Sequence, residues 1–178
     1  MPVVCSVGRF VSFAATAGAL ALVTPALVTP ALVMPAQAAL IMHKDLPLSV
    51  AVKLAEETVA ACAAKGYAES VVVVDREGET IVEMRGDEAS PHTMENARRK
   101  AYTAMSFKQT TAEYAKKLND GNPVVRQQVT LPNVIAIAGG VPIKSGDTVI
   151  GGVGASGSPG FDEDCVNAGL EAVKDQLQ

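Results

Sequence analysis

The chain contains two histidines, His43 and His92, and His92 is the one placed where chemistry is expected. It follows Pro91 at the start of a helical pattern, beside a polar loop and off that helix's apolar face. An imidazole in such a position can ligate a metal ion. One histidine is too few for a structural zinc site, which takes four ligands. It suffices as an axial ligand to haem iron, because the porphyrin supplies the other nitrogens. The plainer alternative is a surface or capping histidine. His92, Asn96, Arg99 and Thr103 fall at i, i+4, i+7 and i+11, a polar stripe on the same helix. Arg98, Arg99 and Lys100 suit carboxylates such as haem propionates, or else form a solvated cationic face. Tyr102 and Thr103 add hydroxyls that can hydrogen-bond or weakly ligate a bound group.

Other motifs are weaker. Gly152-Val153-Gly154-Ala155-Ser156-Gly157 spells G-x-G-x-x-G between a strand and a helix, the place of a dinucleotide fingerprint. No second parallel strand follows to complete the βαβ unit, so close backbone approach is the better explanation of these glycines. Ser156 is not in a G-x-S-x-G elbow, and the histidines are not evident partners for it. No pair of carboxylates stands out as acid and base. The residues leave enzymatic activity open and lean against it.

Several elements must position these residues. Ala51, Leu54, Ala55, Thr58 and Cys62 make one face of a helix over 49–65, with Ser49 as N-cap and Gly66 as its stop. Val71 to Asp75 is a buried strand, and Glu77-Gly78 turns it into a returning strand over 80–84. Pro91 opens a helix to about Phe107, and Thr110 or Thr111 caps a short helix through Leu118. Residues 119–123 read as loop. Three strands are expected, at 133–138, 141–144 and 148–153. Ser158 and Pro159 open a last helix whose core face is Val166, Leu170, Val173 and Leu177. The order is α-β-β-α-α-β-β-β-α. Hairpins and a meander imply a five-stranded antiparallel sheet flanked by helices, an α+β class of loosely profilin-like form.

The first residues read differently. Arg9 is the only charge before Lys44, an apolar run follows it, and Ala36-Gln37-Ala38 closes the run. That pattern is a secretory signal cleaved after Ala38. An uncleaved membrane anchor is the alternative, opposed by Pro25, Pro30 and Pro35. Residues 1–38 are therefore expected to be a signal peptide, and 39–178 a single domain without a stable membrane span, periplasmic or secreted. That domain carries 14 basic and 19 acidic residues, a net charge of −5. This acidic balance argues against a nucleic-acid or anionic-membrane binder, whose affinity needs a basic surface. Cys62 and Cys165 remain, either as a disulfide favoured by an oxidising compartment or as two small buried hydrophobes.

The mature chain resembles the GlcG/HbpS family of haem-binding proteins. The landmarks are Val73-Val74-Asp75 with Gly78, Pro91-His92-Thr93, and Arg99-Lys100-Ala101-Tyr102-Thr103-Ala104. Gly139-Gly140-Val141-Pro142-Ile143, the glycine run 151–157, and Asp162 with Ala168-Gly169-Leu170 complete them. The resemblance implies a five-stranded sheet with flanking helices, homo-oligomers, and haem capture, carriage or sensing by exported members. It places haem contacts around the start of the second helix, which implicates His92 as iron ligand, with Arg99 and Thr103 beside it. It also implies that the last-helix cysteine is not confined to exported relatives, which counts against the disulfide. A haem-degrading or other small-molecule enzyme, and an oligomeric module with incidental haem binding, are the alternatives.

Overall fold

The structure, a computed structural model, describes residues 39–178, so the expected signal peptide lies outside the described residues. Ile41–Gln178 form one compact unit. Among the described residues, no helix is long and apolar enough to cross a membrane.

The valine run determines the architecture. β1 (Ser70–Asp75) is buried along nearly its whole length, because both faces of the sheet are covered. β1 pairs antiparallel with β2 (Thr80–Arg85) on one side and β4 (Thr148–Ser156) on the other, and β3 (Gly140–Ser145) pairs with β4. The sheet order is β2-β1-β4-β3. Alternation sends Val71 and Val73, with Val153 and Ala155, into a core shared with α1 (Leu48–Ala63) and α5 (Asp162–Val173). Val72 and Val74 face the other way, onto Ala97, Ala101 and Met105 of α2 (His92–Phe107).

α2 lies almost in contact with the backbone of β4. A Cβ on Gly154 would collide with the Ala97 carbonyl oxygen, and one on Gly152 with that of Ala101. The glycine motif therefore serves close helix–sheet packing, the role expected of it from the missing βαβ context.

The sheet has four strands, not five. Residues 133–138 are extended in sequence character, with Val134 and Ile135 buried, but they join no ladder. Two of their backbone groups are satisfied by α2 instead, and the Val134 N–H by the Leu131 carbonyl. The Ile135 N–H donates to Thr103 Oγ1 at 3.0 Å, and the Val134 carbonyl accepts from the Arg99 guanidinium at 2.6 Å. A buried backbone needs partners, and side chains have replaced the neighbouring strand.

Other boundaries differ for local reasons. Pro47, not Ser49, is the N-cap of α1. Thr110 caps α3 (Thr111–Asn119) through a capping box with Glu113. Asn122 caps an unexpected short helix, α4 (Pro123–Gln128), with proline in its first turn. Gly160 has φ +85°, outside helical geometry, so the last helix starts at Asp162 and not at Ser158. A 3₁₀ turn, Lys174–Gln176, ends the fold.

Cys62 of α1 and Cys165 of α5 form a disulfide with a sequence separation of 103. Both cysteines are fully buried. Closing so long a loop restricts the unfolded chain, by about 5 kcal/mol on the chain-entropy account. Replacing both cysteines by alanine should lower the unfolding free energy by ~3–4 kcal/mol in urea titrations. A double variant as stable as the parent would show that the link contributes nothing.

Candidate functional site

The start of α2 is anchored by its own sequence. The Thr93 N–H and Oγ1 both reach the Ser90 carbonyl, at 3.1 and 2.6 Å. Thr93 Oγ1 also lies 2.7 Å from Ser70 Oγ at the entry of β1. This fixes the first turn of α2 against the sheet and leaves His92 exposed above it.

His92 stands on the rim of a cleft of about 600 Å³, formed where the starts of α2 and α5 meet the end of β4 and the turn after α1. Asn96 lies one turn below, half-buried. Tyr67 and Ile137 give apolar walls, and Tyr67 stacks on Phe161 with ring centroids 5.6 Å apart. Among the described residues, the His92 imidazole makes no hydrogen bond or ion pair and is free to bind a ligand.

The floor is a buried polar cluster. The Lys100 ammonium is 2.6 Å from Asp162 Oδ2 and 2.8 Å from the Ala155 carbonyl. Its side chain is 1% exposed, so this ion pair is screened little by solvent. Asp162 Oδ1 accepts from the Ser158 N–H and from its hydroxyl, both at 2.8 Å. Ser158 Oγ in turn lies 3.0 Å from Cys62 Sγ, which joins the floor to the disulfide.

Behind this floor is Glu69, 1% exposed, with both carboxyl oxygens lacking a hydrogen-bond partner among the described residues. Burial pushes its carboxyl from 4.5 up to about 7; the charge and the proton-sharing proximity of Asp162 add to the rise, and the nearby Ser158 hydroxyl and the Lys100 charge oppose it. Glu163, at the other side of the α5 start, is also raised by burial, while backbone hydrogen bonds around Gly139 pull it down.

The residues singled out in the sequence are divided by the fold. His92 lines the cleft. Arg99 turns away to the Val134 carbonyl, and Arg98 pairs with Glu95 at 2.9 Å and with Asn133 at 3.1 Å. Thr103 is buried beneath Ile135. Tyr102 packs between two apolar clusters, its ring under Gly78. The polar stripe on α2 thus holds down residues 133–138 along most of its length and opens to the cleft only at His92 and Asn96. Lys100, which reads as part of a cationic run, is buried in the floor. Glu69 and Asp162 form the carboxylate pair that the sequence does not reveal. The one available signal is a glutamate directly before a strand built on four consecutive valines.

A helix-flanked antiparallel sheet with one polar-floored cleft at its end defines an α+β protein of profilin-like class. The profile of the family described as "Haem degrading protein HbpS-like" matches residues 46–171, and the chain belongs to that family. The crystal structure of HbpS is similar with a TM-score of 0.70 and 36% identity, covering 75% of this chain and 94% of that one. The crystal structure of a PduOC–haem complex gives a TM-score of 0.68 at 26% identity, covering 72% and 95% of the two chains. An uncharacterised 15.0 kDa protein of Citrobacter freundii, encoded between dhaT and dhaS, is 34% identical over 86 residues. That match spans 48% of this chain and 61% of the relative.

The raised Glu69 makes stability depend on pH. Between about 4.5 and 7 the folded chain holds a proton that the unfolded chain has lost, so stability is full below pH 4.5 and declines as pH rises through 7. The loss is on the order of 3 kcal/mol. Glu69→Gln should flatten the fall in urea midpoint between pH 5 and pH 8. An unchanged pH slope in the variant would locate the titration elsewhere, with Glu163 the next group to replace.

Proposed function

We propose that this chain is a haem-binding protein whose iron ligand is His92, acting outside the cytoplasm to capture, carry or sense haem without degrading it. The single observation that carries the reading is an exposed imidazole, free of hydrogen bonds among the described residues, on the rim of a cleft of about 600 Å³. The residues present fit the group. A neutral imidazole is a common proximal ligand to haem iron. Tyr67, Ile137 and Pro159 offer the ring apolar surface, and Asn96 offers an amide one turn below His92. Bound haem would supply iron chemistry; the chain's own residues bind it, orient it and shield one face from water. Arg99 is committed to Val134, so the propionate contact that its guanidinium chemistry suggests is not made by that residue here.

Family membership and the haem complex of the PduOC relative support the ligand class. The leader-like residues 1–38 and the Cys62–Cys165 disulfide support an oxidising, extracytoplasmic location. Self-association into homo-oligomers is part of the same proposal.

Hemin titration of the protein should give a saturable Soret shift at one haem per chain. His92→Ala should weaken binding by at least roughly tenfold. An unchanged spectrum in the variant removes His92 from the site, and non-saturable uptake removes the haem reading. With ascorbate and oxygen present, the Soret band of the complex should persist. Its loss with release of an open-chain product would establish a haem-degrading enzyme instead.

A further inference from the structure

A buried carboxyl with no hydrogen-bond partner is costly, since burial strips its water and nothing replaces it. Glu69 is such a group. The charged and polar groups around it come from every neighbouring element. α5 supplies Asp162, α2 supplies Lys100, and the Ser158 hydroxyl precedes α5. Asp87, in the loop after β2, lines a second cavity of about 380 Å³ together with Glu69. Cys62, from α1, is held in the disulfide and does not titrate.

Charge balance decides where a proton belongs. With both carboxyls ionised, one ammonium would face two negative charges in a region shielded from water. One proton restores neutrality. Asp162 is held by three donors, the Lys100 ammonium and two groups of Ser158, an arrangement suited to a carboxylate. No donor meets Glu69 with full hydrogen-bond geometry, and its carboxyl faces that of Asp162, an arrangement in which the proton belongs on Glu69. Asp162 and Lys100 also line the cleft, so charge placed there acts on Glu69 across a layer of low dielectric.

We propose that Glu69 is an exchangeable proton site coupled to the cleft: a ligand carrying net positive charge over the Lys100–Asp162 floor ionises Glu69 and expels its proton, and an uncharged ligand leaves it in place. The Glu69 O–H bond breaks, the electron pair stays on the carboxylate and the proton passes to solvent; nothing is oxidised or reduced. Charge discrimination in the cleft is the consequence, tighter binding of the cationic form as pH rises. The proposal rests on the haem reading only through its probe. Ferric haem has a core of iron(III) in a dianionic ring, one net positive charge, whereas metal-free protoporphyrin has a neutral core of the same shape.

The test is calorimetric titration of the protein with hemin at pH 7 in two buffers of different ionisation enthalpy. Glu69 is about half protonated there, so the wild type should release about half a proton more per haem than Glu69→Gln. Proton changes elsewhere in the site appear in both proteins and cancel. Metal-free protoporphyrin should show no such difference. Equal release by both proteins, each binding hemin, overturns the coupling and leaves the haem site standing; no hemin uptake by the wild type overturns both. Infrared spectra of the wild type alone give a second readout if the variant does not fold. The band of a buried protonated carboxyl should weaken on hemin uptake and stay with protoporphyrin, and its persistence with hemin overturns the proposal.

Discussion

Lys100 and Asp162 face each other at 2.6 Å in a layer that water barely reaches, and much of the molecule is arranged around that contact. Lys100 comes from the middle of α2, Asp162 from the first position of α5, and the Ala155 carbonyl of β4 takes a second hydrogen bond from the ammonium. One charged group thereby registers a helix on each face of the sheet with the strand between them. Such a pair contributes little net stability, because desolvation offsets attraction. Losing one partner is different, since it leaves an unpaired charge buried. The pair specifies the arrangement more than it strengthens it.

That arrangement is possible because β4 presents glycine where α2 crosses. With Gly152 and Gly154 under the carbonyls of Ala101 and Ala97, α2 sits close enough for Lys100 to reach the strand end. The same closeness puts Arg99 and Thr103 under residues 133–138, where they take the place of a sheet neighbour. The cleft then opens at the only part of the polar stripe not covered, the first turn at His92 and Asn96. Ser158 links the floor to Cys62, so the disulfide between α1 and α5 braces the same corner from outside the cleft.

The sequence was informative where local signals dominate. Four consecutive valines, a Glu77-Gly78 turn and a proline-initiated helix with an apolar stripe need no tertiary knowledge, and each element formed. Residues 133–138 read as a strand because composition reports burial and extension but not which groups pair with the backbone. α4 is hidden because Asn122-Pro123, a cap followed by a first-turn proline, reads equally well as loop. His92 was legible as a lone imidazole at a helix start. Glu69 and Asp162 were not, because nothing in either neighbourhood signals a partner from the opposite end of the domain. The disulfide was open on the sequence and is settled by the packing of α1 on α5.

The cleft at the start of α2 is thus a place where fold constraints leave one histidine uncommitted over an acid–ammonium floor. The most direct measurement of its role is a crystal structure of the protein loaded with hemin. The macrocycle should lie in the cleft, with its iron bonded to the His92 imidazole and its ring against Tyr67 and Ile137. Iron bonded to a different side chain, or a macrocycle seated away from the cleft, would contradict this assignment.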